Sequence, residues 1–153
     1  MSRAADLAAL IVDVNTTEAK TDELTGKTSA GSIAVTGEGG STTTNLQQGL
    51  AKAWAAFEQS GTHTMRDSFN ITSISDIGTG QSRFVFVNSM SNADYATTGC
   101  SGEQTGGGNR IMGIKGNSAV PATTGFDIAN FALSTGSAAD DTRLSISVLG
   151  DLA

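Results

Sequence analysis

This sequence of 153 residues holds one cysteine, one proline, one histidine, one tryptophan and one tyrosine, and each scarcity removes a class of structure or chemistry. Cys100 has no partner with which to close a disulfide, and the CxxC patterns of zinc and redox sites are excluded. The fold must be held by packing and hydrogen bonds. Charged residues make up only 16% of the chain, and their balance is acidic, with a net charge of −6 and a pI near 4.5. Such a chain is not drawn to phosphate backbones or anionic membranes, so neither nucleic acid nor membrane is expected as a partner. No apolar run approaches the roughly eighteen residues of a membrane span. Residues 1–14 also lack the basic start and unbroken apolar stretch of a signal peptide, so release by lysis or as part of a particle is the expected route out of a cell.

What is abundant is serine (17), threonine (20) and glycine (19), together more than a third of the chain. Threonine suits strands and glycine suits tight turns, and both are poor in helix interiors, so the bias predicts short strands with many turns. The length suits one domain with one core. Near the start, Leu7, Leu10, Ile11 and Val14 fall at i, i+3, i+4 and i+7 behind Ser2 as an N-cap, the spacing of a short amphipathic helix. A helix this short needs a surface to pack on. Residues 15–45 are polar and glycine-rich, with Leu24, Ile33 and Val35 as the main apolar groups; an extended arm and a solvated tail both fit that composition. The division predicted is an N-terminal arm over 1–45 and a head over 46–153.

Strand signals accumulate in the head. Leu144, Ile146 and Val148 alternate with small or polar neighbours, as a half-buried strand requires. The run Arg83-Phe84-Val85-Phe86-Val87 reads as a central strand covered on both faces. In GFDIANFALS, Phe126 and Ile128 share one parity and Phe131 and Leu133 the other, which predicts a bend, bulge or stop near Ala129 and Asn130. A similar slip separates Phe69 and Ile71 from Ile74. Residues 67–87 read as a hairpin turning at Gly78-Thr79-Gly80, and residues 94–100 and 110–115 supply further strands. Six or seven short strands of this kind make an all-β fold, a β-sandwich or jelly-roll head, the most economical architecture.

Residues 51–57, AKAWAAF, pose a conflict. Leu46, Leu50, Trp54 and Phe57 have helical spacing, and the composition favours helix. Yet the order KAW-x-x-F, G-T, RDSFN, SI-x-D-x-GTG, F-x-F and SM-x-x-A-x-YA, spanning Leu50 to about Gly99, resembles a module of bacteriophage virion structural proteins. These are tail-fibre-like and capsid decoration proteins of marine and cyanobacterial phages, and the opening MSRAADLAALI is also similar to theirs. The resemblance implies that the KAW segment is a strand leading into a β-sandwich. Two departures stand out: Ala55 and Ala56 replace bulkier residues, and the leader is too short for a fibre shaft. The second turns the expectation from a tail fibre toward a compact homotrimeric cement or decoration protein in the virion. Its partners would be the major capsid protein or other virion proteins, with a short tail fibre or receptor-binding tip that contacts host glycan as the alternative. Leu7, Leu10, Ile11 and Val14 are the candidate attachment residues.

Residues capable of chemistry are few. His63 is the one possible base of a triad, and it reads as a surface or subunit-interface imidazole beside Gly61. Cys100 reads as a buried inert thiol. The runs GEGG and TGGGN lack the Lys-Ser/Thr of a phosphate loop. Asp76, Asp140 and Asp141 could offer carboxylates to calcium, but no D-x-D-x-D-G loop accompanies them. NTT at Asn15 and NIT at Asn70 match the glycosylation pattern, a match common by chance. Trp54 and Phe57 are assigned to a subunit interface or the core, with a carbohydrate platform as the other reading. No enzyme activity, metal or cofactor is expected.

Overall fold

The computed structural model describes residues 33–36, 43–102, 109–115 and 121–152. The attachment residues Leu7, Leu10, Ile11 and Val14, most of the arm, and both glycine runs lie outside them, apart from Asn109. One compact unit runs from Ala34 to Ala153, so it takes in part of the segment assigned to the arm. The described chain is all-β, with antiparallel pairing throughout. A short ribbon pairs β1 (Ala34–Thr36) with β2 (Thr43–Asn45), and a single helical turn, α1 (Leu46–Gly49), follows. Eight strands complete the body: β3 (Ala51–Glu58), β4 (Thr64–Phe69), β5 (Ile71–Gly78), β6 (Gln81–Phe86), β7 (Ala96–Gly102), β8 (Arg110–Ile114), β9 (Gly125–Ala132) and β10 (Arg143–Leu149). They form two four-stranded sheets, ordered β4-β3-β10-β7 and β5-β6-β9-β8. No described helix is long and apolar enough to cross a membrane.

AKAWAAFE is strand β3, and the helical spacing survives only as the turn α1. The two-residue period decides it: Ala53, Ala55 and Phe57 face inward and are buried, while Trp54, Ala56 and Glu58 lie on the other face. β3 is hydrogen-bonded on both sides, to β10 with Leu144 opposite Phe57 and to β4 with Phe69 opposite Trp54. Two ladders outweigh the few tenths of a kcal/mol per residue that separate good helix formers from poor ones.

Of the two parity slips, one is a structural break and the other is not. Ile71 and Ile74 both reach the core because the β5–β6 register shifts between Ile71 and Ser73. Just upstream, Asn70 has a positive φ of 56°, and there the chain leaves the first sheet for the second. The expected hairpin over 67–87 is therefore shorter, confined to β5 and β6, with Gly80 at φ 66° in its turn. By contrast, β9 runs through Ala129 and Asn130 with no shift against either neighbour. Asn130 takes an inward position that the pattern reserved for an apolar group, which leaves Phe131 outside. β6 is central but covered on one face: Phe84 and Phe86 are buried, whereas Arg83 and Val87 are exposed.

The core lies between the sheets and concentrates the scarce aromatics. Phe57 of the first sheet meets Phe84 of the second edge-on, with centroids 4.9 Å apart. Phe84 stacks on Phe126 at 5.2 Å, and Phe126 continues to Phe86 and Tyr95. Ile128, Leu144, Ile146, Val148 and Met90 fill the space around them. Each ring buried in this way contributes on the order of 2 kcal/mol or more.

Candidate functional site

Where β3 ends and β10 begins, strand ends bring together most of the polar residues capable of chemistry. Gln59, one residue past β3, donates its backbone N–H to the Asp141 carbonyl at 2.8 Å. Its side-chain Nε2 donates to Ser82 Oγ on β6 at 2.9 Å, and Ser82 Oγ lies 3.1 Å from His63 Nδ1. The serine hydroxyl thus bridges the Gln59 amide and the His63 ring. Nε2 faces Asp76 at 3.7 Å and Asp140 at 3.9 Å. Both carboxylates are engaged locally as well: Asp76 accepts from Gly78 N–H, and Asp140 accepts from Gly80 N–H at 2.5 Å.

Beside this group lies a second one centred on Asp141, whose side chain is fully buried. It accepts from Ser101 Oγ on β7, Arg110 Nε on β8 at 3.3 Å and Asn130 Nδ2 on β9 at 3.2 Å. Asn130 Nδ2 also donates to the Ala139 carbonyl. A buried carboxylate needs such a set of donors, because an unpaired one would cost several kcal/mol. The segment entering β10 is thus tied to strands of both sheets.

Ser82, His63 and two aspartates have the residue types of an acyl-transfer triad, but not its geometry. Ser82 is fully buried and its hydroxyl accepts from Gln59; both carboxylates lie beyond hydrogen-bond reach of the imidazole. The group ties the approach to β4, the β5–β6 hairpin and the segment before β10. His63, expected as a surface or subunit-interface imidazole, has a side chain 1% exposed that is buried within the chain itself, with Ser82, Asp76 and Asp140 about its ring. Among the described residues, no three His, Cys, Asp or Glu side chains are placed to hold a metal ion. Asp141 is taken by Arg110, and calcium would have to break that pair. The buried oxygens Gln59 Oε1 and Asn130 Oδ1 accept no hydrogen bond from the described protein.

The aromatic residues divide by face. Phe57 is in the core, and Trp54, three residues earlier, is half-buried on the outer face of the same strand, so the two form no shared carbohydrate platform. Its cross-strand neighbour is Phe69, 51% exposed. Across the sheet from Trp54 stand Ser147 and then Thr98. Cys100 is exposed on the same face with Sγ 3.1 Å from Ser145 Oγ, because the edge strand β7 leaves it uncovered; the buried thiol expected is not found. No family model, curated protein or solved structure matches this chain.

Three features escaped the reading of residues alone. Asn70 is buried; its amide donates to the Lys52 and Asn88 carbonyls, and its Oδ1 accepts from Asn88 N–H at 2.7 Å. The NIT pattern there is a structural corner whose amide is fully engaged. Arg83 and Asp127 face each other across β6 and β9 and form a two-pronged pair at 2.8 and 2.9 Å, which raises the pKa of Arg83. The Tyr95 hydroxyl sits 3.1 Å from the Ala122 carbonyl and 3.0 Å from that of Gly125, and burial pushes it up to about 12. The one available signal was asparagine at a parity slip, since asparagine tolerates positive φ.

Proposed function

We propose that this protein is a structural component of a bacteriophage particle, most concretely a trimeric capsid cement or decoration protein on the outer shell. The observation that carries this reading is the motif order from KAW to YA within Leu50–Gly99, which resembles that of phage virion proteins. The two facing sheets supply its β-sandwich head; hairpins β3–β4, β5–β6 and β8–β9 each stay within one sheet, which favours a sandwich over a jelly roll. In this reading the arm is the segment ahead of the compact unit, residues 1–33, with Leu7, Leu10, Ile11 and Val14 gripping the major capsid protein or another virion protein. Densitometry of purified virions tests it. Copy numbers comparable with the major capsid protein are expected, and a trace band overturns the cement assignment.

The second reading is a short tail fibre or receptor-binding tip, and the exposed Phe69 beside Trp54 favours it. Aromatic faces next to Ser147 and Thr98 hydroxyls have the mixed character that sugar rings bind. A few copies per particle, together with host-glycan binding lost in Trp54→Ala, would select this reading.

A further inference from the structure

Four strands lie at the edges of the two four-stranded sheets, and three of them carry features that block further pairing. β4 holds Arg66 and Asp67 and is bulged against β3; β5 holds Asp76 and shifts register twice; β8 opens on Arg110. Charges and bulges of this kind keep an edge from accepting another strand. β7, Ala96-Thr97-Thr98-Gly99-Cys100-Ser101-Gly102, has none of them. It carries no charge and no proline, and all seven residues pair with β10 in unbroken register. Ala96, Thr98, Gly99 and Cys100 are exposed. Among the described residues, none outside β10 pairs with it in a sheet. Beside it across the two layers runs β8, where Ile111 stands opposite Phe131, both exposed. β7 itself is thus an uncharged edge in a protein of net charge −6.

We propose that β7 is a self-association edge that pairs antiparallel with β7 of a second copy, joining two four-stranded sheets into one of eight strands. The chemistry selects a second copy: a neutral strand meets its own image without like-charge repulsion, and antiparallel self-pairing satisfies both edges through one two-fold axis. The contact goes beyond the virion reading and is distinct from a three-fold interface. Where both form, β7 links neighbouring trimers. Cys100 reports the contact. With the two-fold axis near Gly99 or Cys100, the two thiols lie within about 8 Å on one face of the joined sheet.

The experiment uses the full chain at micromolar concentration, with sedimentation velocity and a short thiol-to-thiol crosslinker read in parallel. Wild type should form a species twice the mass of the one that Thr98→Lys reaches, or larger, and crosslink through Cys100. Thr98→Lys, at an exposed position, should weaken association at least tenfold and abolish the crosslink while leaving thermal unfolding unchanged. Thr98→Val, which keeps the edge neutral, should retain both. A monomer throughout, association without the Cys100 crosslink, or a Thr98→Lys protein that associates like wild type would overturn the proposal.

Discussion

Replacing Asn70 by alanine should cost about 4 kcal/mol of stability. Asn70 stands where the chain passes between sheets, with φ at 56°, a conformation that asparagine tolerates better than alanine. Its side chain donates to the Lys52 carbonyl at 3.0 Å and the Asn88 carbonyl at 3.1 Å, and accepts from Asn88 N–H at 2.7 Å. Three hydrogen bonds at about 1 kcal/mol net each give about 3 kcal/mol. The positive φ adds about 1 kcal/mol for a residue with a Cβ and no local hydrogen bond. Against a typical total of roughly 5–15 kcal/mol, this is a large share. Urea titration followed by fluorescence of Trp54, the single tryptophan, measures it directly. Asn70→Gly separates the two contributions, because glycine removes the strain and not the lost bonds; it should be about 1 kcal/mol more stable than Asn70→Ala. A loss under 1 kcal/mol for alanine, or equal losses for the two variants, would refute the account of this corner.

Tyr95 is the only tyrosine, so alkaline titration of tyrosinate absorbance reads it alone. Its folded pKa of about 12 exceeds the unfolded value near 10, so its contribution is intact below pH 10 and declines as pH rises toward 12; a folded-state midpoint near 10 would contradict this. A Cβ at Gly125 would collide with the Phe84 carbonyl oxygen, whereas one at Gly113 meets nothing within 4 Å. Thermal melts should show Gly125→Ala destabilised by about 3 kcal/mol or more and Gly113→Ala within about 0.5 kcal/mol of wild type. Arg110→Met should cost about 3–5 kcal/mol by leaving the Asp141 carboxylate buried without its cation, and Asp141→Asn in the same chain should recover part of that in denaturant titration.

Strands with clean alternation were legible before the structure. β10 buries Leu144, Ile146 and Val148 as their spacing required, and the β5–β6 turn falls at the glycines that marked it. The polar cluster was not. His63, Ser82, Asn130 and Asp141 are separated by up to 78 positions in the chain, and no local spacing relates them. Asn130 broke an apolar period and so read as a kink, because a period-two pattern cannot foresee that Asp141 and the Ala139 carbonyl will make an inward amide acceptable. Cys100 read as buried on thiol chemistry alone, since exposure depends on whether β7 lies at an edge.

The sequence by itself determined that the head is all-β, that Cys100 closes no disulfide within the chain, and that the chain is weakly charged and acidic. Those properties follow from composition and two-residue periodicity, which act within a few neighbouring residues. Only the tertiary structure decided that AKAWAAFE is a strand, that Asn70 and not Asn130 is the break, and that Trp54 and Phe57 face opposite ways. Each of these is settled by hydrogen bonds and burial between segments distant along the chain, and such pairings outweigh local propensities of a few tenths of a kcal/mol per residue.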